Sequence, residues 1–493
     1  MLGRARPSVP VRRGGPVPRR VVRLLHTDGE TLRHGVTAIQ EELGVTPDFP
    51  ADVEQAAAAA AAAPRQPELD RTDIPFVTND PEGSMDLDQA LHLERDGDGY
   101  VVHYAIADVA AFVSPGDPVD EEAHRRGETL YGAGSRIPLH PPVLSEGAAS
   151  LLPGEERPAL LWTIRVDGDG EGTAAEVVRA RVRSRSRHDY EGVQRMVDDG
   201  TADEVFHLLG EVGELRKKRE AARGGVSLPL PEQEVDVDGE RWSLTFRRML
   251  PVEEWNAQLS LLTGMAAASL MVYARVGLLR TLPPPDGRDV QRLHRTAKAL
   301  GIEWPAELLY PDFIRALDPS QPSQAAMVVA CTRLLRGSGY VAFHGETPAQ
   351  PEHAALASEY AHVTAPLRRL ADRYASEVCV ALCAGDEVPA WVLERLDGLP
   401  RTMQQADHRA HQYERAVLDL VEAAVLHPHV GQEFAGVVVQ VDDDDHRTGD
   451  VVVQEPAVEA RVTSASDLPL GTDVSARLVE ADVARRTVRF EVT

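Results

Sequence analysis

The chain has 493 residues, with 52 Lys and Arg against 78 Asp and Glu, and a formal charge of −26. Those totals exclude a protein that coats nucleic acid with its whole surface, because neutralising phosphates takes clustered cations; they do not say where charge is concentrated. At about 100–200 residues per domain the length predicts two to four domains, and 43% hydrophobic residues suffice for a large core.

Residues 1–23 carry seven arginines and no acids among Pro and Gly, the composition of an unfolded basic tail that could touch RNA or simply stay solvated. Leu32, Val36, Ile39 and Leu43 recur at helical spacing, and the Ala56–Ala63 run continues a helical N-terminal segment (24–70) up to Pro64. From 71 to 165 short apolar strands such as Tyr100–Ile106 and Ala159–Val166 alternate with Gly/Asp turns, and after Tyr190 helices dominate. Pro251–Val276 reads as one long buried helix, and Glu352–Leu382 as another broken at Pro366. The last stretch, 429–493, has five strand-like runs, which predicts an OB-like barrel; its six basic residues against 13 acidic ones weaken the case for RNA binding by that module alone.

The three cysteines, Cys331, Cys379 and Cys383, form no CxxC pair or disulfide framework. They read as buried helix residues in a reducing, cytoplasmic setting. With no signal-peptide pattern and no 18-residue apolar run, neither secretion nor a membrane partner is expected, and a monomer is.

The segment TNDPEGSMDLDQ (Thr78–Gln89) places Asp80, Asp86 and Asp88 around a Pro-Glu-Gly-Ser turn. Three carboxylates held so close repel unless a cation neutralises them, and an all-oxygen set suits Mg²⁺ or Mn²⁺. An exposed acidic turn is the alternative reading. Metal ions on carboxylates activate water and stabilise leaving oxygens in phosphodiester cleavage, which makes nuclease chemistry worth testing.

Arg179, Arg181, Arg183, Arg185 and Arg187 alternate at two-residue spacing, so in a strand they share one face. That face is either a solubilising edge or a basic wall along a nucleic-acid backbone, with Tyr190 beyond it able to stack on a base. The cluster Arg216–Arg219 reads as a solvated helix face. In YAHVTAPLRRLADR (Tyr360–Arg373), Pro366 forces a new helix start, where Arg368, Arg369 and main-chain N–H groups can face one anion.

In chain order these stretches resemble the RNB domain of the ribonuclease II family of 3′→5′ exoribonucleases. The acidic segment resembles IDxxxxxDxDDA, and AIADVAAFV (Ala105–Val113) resembles HIADVxxYV. His124–Leu160 is similar to the RGxSxY, RxxPMLP and LSxxxxSLxP series, and DYEGVQ (Asp189–Gln194) to YxxV. VEEWNAQLSLLTGMAAA (Val252–Ala268) is similar to the VEExMxxAN helix, and His353–Asp372 to HxxLxxxxYxHxTSPIRRYxD. The resemblance implies an α+β RNB catalytic domain over 71–425 and hydrolysis of single-stranded RNA to nucleoside 5′-monophosphates. It also implies Mg²⁺ on Asp80, Asp86, Asp88 and Gln89, a phosphate contact by Arg368, a terminal-nucleotide contact by Tyr190, and 3′-end positioning by Glu254.

The chain departs from the pattern at Gln89, where the signature has a fourth aspartate, and at Leu370, where it has Tyr. Ser376-Glu377 replaces the usual His-Arg, and no cold-shock barrels fit before residue 70. The loss of a carboxylate at position 89 makes a weakened protein that holds RNA 3′ ends without processing them the second reading, and an unrelated metallohydrolase acting on a small phosphoester the third.

Overall fold

The computed structural model describes residues 29–238 and 241–493; the basic tail, 1–23, lies outside them. Two helices open the chain, α1 (Gly29–Leu43) and α2 (Ala51–Ala62), where the periodicity and the alanine run predict them.

A closed five-stranded barrel follows: β1 (Phe76–Asp80), β2 (Gln89–Asp96), β3 (Gly99–Ala107), β4 (Glu156–Val166) and β5 (Gly172–Asp189). Neighbours pair antiparallel except at the seam, where β5 runs parallel to β1 and brings Asp189 opposite Asp80. Along β5, Ala180, Val182 and Ser184 point inward between the outward-facing arginines. The strand thus has the alternation its spacing predicts.

Helix α3 (Pro118–Arg126) is capped by the Asp117 side chain and stopped at Gly127, with φ of +77°. A Cβ on Gly127 would stand 2.5 Å from the Ala406 Cβ, so both the turn and the close approach call for glycine.

The helical half contains α4 (Tyr190–Asp198), α5 (Glu204–Arg223), α6 (Pro251–Ala274), α7 (Leu370–Ala384) and α8 (Leu399–Leu426). One apolar core joins Tyr104, Trp162 and Ile164 of the barrel to Phe206, Leu259, Met271, Tyr374 and Val378 of these helices. Among the described residues α6 is the one helix long and apolar enough to cross a membrane, which corrects the expectation that no such run exists. Within the fold its Val252, Leu259, Ala267 and Met271 are buried in that core.

Two other expectations change. Glu352–Leu382 is not one helix: Glu352–His353 and Ser358–Glu359 pair as a small hairpin, and helix begins only at Leu370, because residues 364–369 turn back to meet the barrel. Arg216 is no solvated residue but 1% exposed, donating to the Gly170 carbonyl at 2.8 Å. Cys331 and Cys379 are buried, Cys383 is half-buried, and all three thiols are free.

The C-terminal barrel comprises β6 (Glu433–Val441), β7 (Thr448–Val453), β8 (Val458–Thr463), β9 (Asp473–Asp482) and β10 (Thr487–Val492). Its closed order β6-β7-β8-β10-β9 is that of an OB barrel, as the five predicted runs imply. It shares a core with α1 and α8, where Leu32, Val36, Val421 and Leu426 meet Val451, Leu478 and Phe490.

Candidate active site

The acidic turn closes one end of the first barrel. Asp80 ends β1 and Asp88 immediately precedes β2; antiparallel pairing of the two strands brings them together. The turn between them is fastened from three sides. The Ser150 hydroxyl donates to the Met85 carbonyl at 2.6 Å and accepts from the Leu87 N–H at 3.0 Å. Arg187 donates to the Ser84 carbonyl at 3.1 Å, and the Ala107 N–H donates to the Asp88 carbonyl at 2.9 Å.

Asp88 is 1% exposed. Its Oδ1 accepts the Leu367 N–H at 2.8 Å and its Oδ2 the Arg368 Nε–H at 2.6 Å. The main-chain donor and guanidinium expected beside Pro366 therefore do converge on one anion, and it is the protein's own carboxylate. Asp86 pairs with Arg136 at 2.8 Å. Burial pushes the Asp80 carboxyl up to about 7 against the pull of Arg368, with Asp88 and Asp86 raising it further. Burial likewise pushes Asp88 up to about 6, held down by Arg368 and the Leu367 N–H. Burial also opposes the Arg368 charge, but Asp88, Tyr131 and Asp86 together outweigh it and keep the guanidinium protonated.

Asp80 Oδ2 is buried with no hydrogen-bond partner. Among the described residues no three His, Cys, Asp or Glu side chains converge tightly enough to enclose a metal on their own. An orphaned carboxylate oxygen beside two more carboxylates still fits a hard cation that keeps positions for water and phosphate oxygens, as Mg²⁺ does.

The other expected residues divide. Tyr190 begins α4 one residue beyond the β1–β5 seam; its hydroxyl accepts from Asn256 Nδ2 at 3.3 Å and is pushed up to about 12 by burial, with Asp80 adding. Glu254 turns away to Lys217 at 2.5 Å and lines a cavity of about 580 Å³ with Arg248 and Met249. Its neighbour Glu253 is the one felt by Tyr190, and Arg247 holds it through two 2.7 Å bonds.

Arg369 makes a bidentate pair with Asp372 at 2.9 Å and fixes the start of α7. Along β5, Arg179 binds Asp108 and Glu377, Arg181 binds Asp70, Arg183 binds Glu156, and Arg185 donates to the Asp73 carbonyl. Of the five arginines, Arg187 is the one that reaches the acidic turn. Gln89 donates from Nε2 to the Thr364 carbonyl at 2.7 Å, and its Oε1 accepts from the Tyr104 hydroxyl and, at 3.3 Å, from Ser260.

Sequence reasoning missed several neighbours. Tyr131 is 46% exposed and lies within electrostatic reach of Arg368. Its signal was available, since it is the tyrosine of RGETLY. Arg136, six residues before Pro142, lay in the next motif, and Asn256 and Ser260 lay in the Val252–Ala268 motif, whereas Tyr104 lies just before the Ala105–Val113 motif and carried no signal of its own.

Residues 69–383 match the family model described as the RNB domain, and residues 432–493 that of the RNase II-type exonuclease C-terminal S1 domain. The chain is 26% identical over 401 residues to Ribonuclease R of Escherichia coli (strain K12), covering 76% of this chain and 48% of that protein. It is 28% identical over 348 residues to the probable exosome complex exonuclease RRP44 of Caenorhabditis elegans, covering 67% of this chain and 36% of that one. The chain spans about half the length or less of these curated relatives.

Among solved structures, Mycoplasma genitalium RNase R in complex with ribose methylated single-stranded RNA superposes with a TM-score of 0.83 at 20% identity, covering 94% of this chain and 78% of that one. Yeast Ssd1, a pseudonuclease, superposes at 0.68 with 16% identity, covering 87% and 55%. These likenesses establish the fold.

Proposed function

The chain belongs to the RNB-domain family, and on that premise we propose that it is a Mg²⁺-dependent 3′→5′ exoribonuclease releasing nucleoside 5′-monophosphates from single-stranded RNA. The observation that carries the reading is the Asp88–Arg368 pair flanked by Asp80 and Asp86 at the barrel end. Asp80, Asp86 and Asp88 would hold the metal, which when bound lowers the pKa of a water and stabilises charge on the phosphate. Arg368 is half-exposed and permanently charged, so its free N–H groups can face a phosphate while Nε stays on Asp88. Tyr190 offers its ring to the terminal base, its hydroxyl fixed by Asn256. Tyr131, exposed and within electrostatic reach of Arg368, would meet the RNA beside it. Free buried thiols suit a cytoplasmic setting.

A second reading, a weakened binder of RNA 3′ ends, is favoured by Gln89 and by the likeness in fold to a pseudonuclease. Incubation with 5′-labelled single-stranded RNA and Mg²⁺ decides between them. Laddering to a short end product supports the enzyme, and tight binding without shortening supports the binder. If neither occurs, both fall.

A further inference from the structure

We infer that the carboxylate site is built for one divalent cation, and that Gln89 is a positioning residue which shuts out a second by tying its amide into the protein. The inference rests on the exoribonuclease reading and concerns the same site.

Gln89 follows Asp88 directly, and their side chains grip the 364–368 segment at different points. Asp88 takes the Leu367 N–H and Arg368; Gln89 takes the Thr364 carbonyl. The other end of the Gln89 amide is engaged as well. Its carbonyl oxygen receives two hydroxyls, Tyr104 and Ser260, which lie 2.9 Å from each other, and Tyr104 is fully buried. Turning Gln89 toward a cation would take the Thr364 carbonyl's side-chain donor away and leave the buried Tyr104 hydroxyl with Ser260 alone, a loss of hydrogen bonds among desolvated groups. The position that carries a fourth carboxylate in the resembling signature is therefore neutral and occupied by internal hydrogen bonds.

Charge balance gives the same count. Asp80, Asp86 and Asp88, with Glu146 that shares Arg136 with Asp86, bring four negative charges, while Arg136, Arg368 and Arg187 bring three positive charges. One divalent cation turns the net −1 into +1, which a single phosphodiester neutralises. A second would leave +3 before substrate arrives, with the two cations about 4 Å apart and no further carboxylate to screen them.

The test is a Mn²⁺ titration of the full chain, followed by electron paramagnetic resonance of the free ion, on wild type and Gln89→Asp. The expected result is one Mn²⁺ per wild-type chain and a second, separate equivalence in Gln89→Asp. A merely structural role for Gln89 would move the melting temperature without changing this count. Two tightly bound ions in wild type overturn the inference, as does a count that stays at one in a Gln89→Asp protein with a cooperative melt. If that variant does not fold, the wild-type count alone decides. Two ions together with RNA laddering sink only this inference. One ion without laddering sinks only the exoribonuclease reading, and no bound ion sinks this inference and the metal requirement together.

Discussion

Asp88 joins the proposed metal set, the Leu367 amide and Arg368 in one side chain, so the isosteric amide separates its roles. Asp88→Asn keeps an acceptor for Leu367 but loses the charge. Cleavage should fall by about 10²-fold or more while RNA affinity stays within about twofold, read as single-turnover rate against Kd. Unchanged turnover would sink the assignment. Tyr190→Ala should instead weaken binding of a short RNA by about 1–3 kcal/mol in a polarisation titration, the size of one lost base stack.

A third residue links the site to pH. His140 is buried; its Nδ1 donates to the Leu367 carbonyl at 3.2 Å and its Nε2 has no partner, so burial lowers its pKa to about 4. The unfolded chain, with an ordinary His value near 6.5, then binds more protons than the folded one as pH falls. Stability from this group is complete above about pH 6.5 and is lost progressively down through about 4. Glu128 and Glu422, both pushed up to about 7 by burial, act with the opposite sign: each costs stability as pH rises from about 4.5 to 7. The His140 share is isolated by comparing wild type with His140→Asn in urea at pH 7.5 and 5. The wild type should lose more stability than the variant on acidification, and parallel losses would refute this. Of these residues, only the motif positions could be read from the chain. Asp88 and Arg368 are in direct contact and Asp80 feels both of them and Asp86, but the turning of Glu254 to Lys217, with Glu253 left toward Tyr190, depends on how α6 is rotated against α5, which sequence periodicity does not fix.

Among the elements, α6 depends on a contact that its sequence does not advertise. Gly264 lies inside the helix, where glycine is ordinarily unfavourable, because the Tyr360 ring and the Ala361 carbonyl cross there; an added Cβ would come within 2.5 Å of that oxygen. The Gly264 carbonyl also accepts the Ala361 N–H at 3.1 Å. Gly264→Ala should therefore cost about 1–3 kcal/mol rather than stabilise the helix, visible as a lower urea midpoint at unchanged slope. An equal or raised midpoint would mean that the crossing is loose. Strand β5 teaches the complementary lesson. Its alternation was legible, and so was the single face of its arginines. What the spacing could not reveal is that Asp70, Glu156, Asp108 and Glu377 arrive from distant segments to pair with them. In the same way, the apolar run after Pro366 announces α7, but the helix assigned to 352–365 fails because 352–361 pairs with itself and with the backbone of Leu282, Arg280 and Gly264 before 364–369 turns to the barrel.

For the whole molecule, α8 links the two cores, its Leu399 and Met403 lying in the core of the first barrel. Val421, Leu426 and Leu420 are buried jointly with Phe490, Leu478 and Val451, and α1 adds Leu32 and Val36 to the same core. Removing residues 432–493 would bare that surface. The shortened chain should bind a hydrophobic dye and melt earlier than the full chain, and an unchanged melt would show that the terminal barrel is energetically independent. The charge of −26 also finds its distribution here. Acids in the terminal barrel pair with their own arginines, as Asp442 does with Arg461 and Glu480 with Arg489. The interior acids, Asp80 and Asp88, face Arg368. Composition alone argued against a polyanionic partner, whereas these pairings neutralise part of the acid excess within the fold.

The Pro-Glu-Gly-Ser turn that separates Asp80 from Asp86 has a practical use. Glu82 and Gly83 are exposed, and nothing lies within 4 Å of a Cβ built at Gly83. The chain's own thiols are buried or half-buried. A thiol introduced by Glu82→Cys would thus be the most reactive in the molecule, and an environment-sensitive dye attached to it would sit on the lip of the barrel. Such a reporter should change its emission when an RNA 3′ end arrives and leave it unchanged for duplex DNA, turning a surface turn into an optical readout of strand entry in real time.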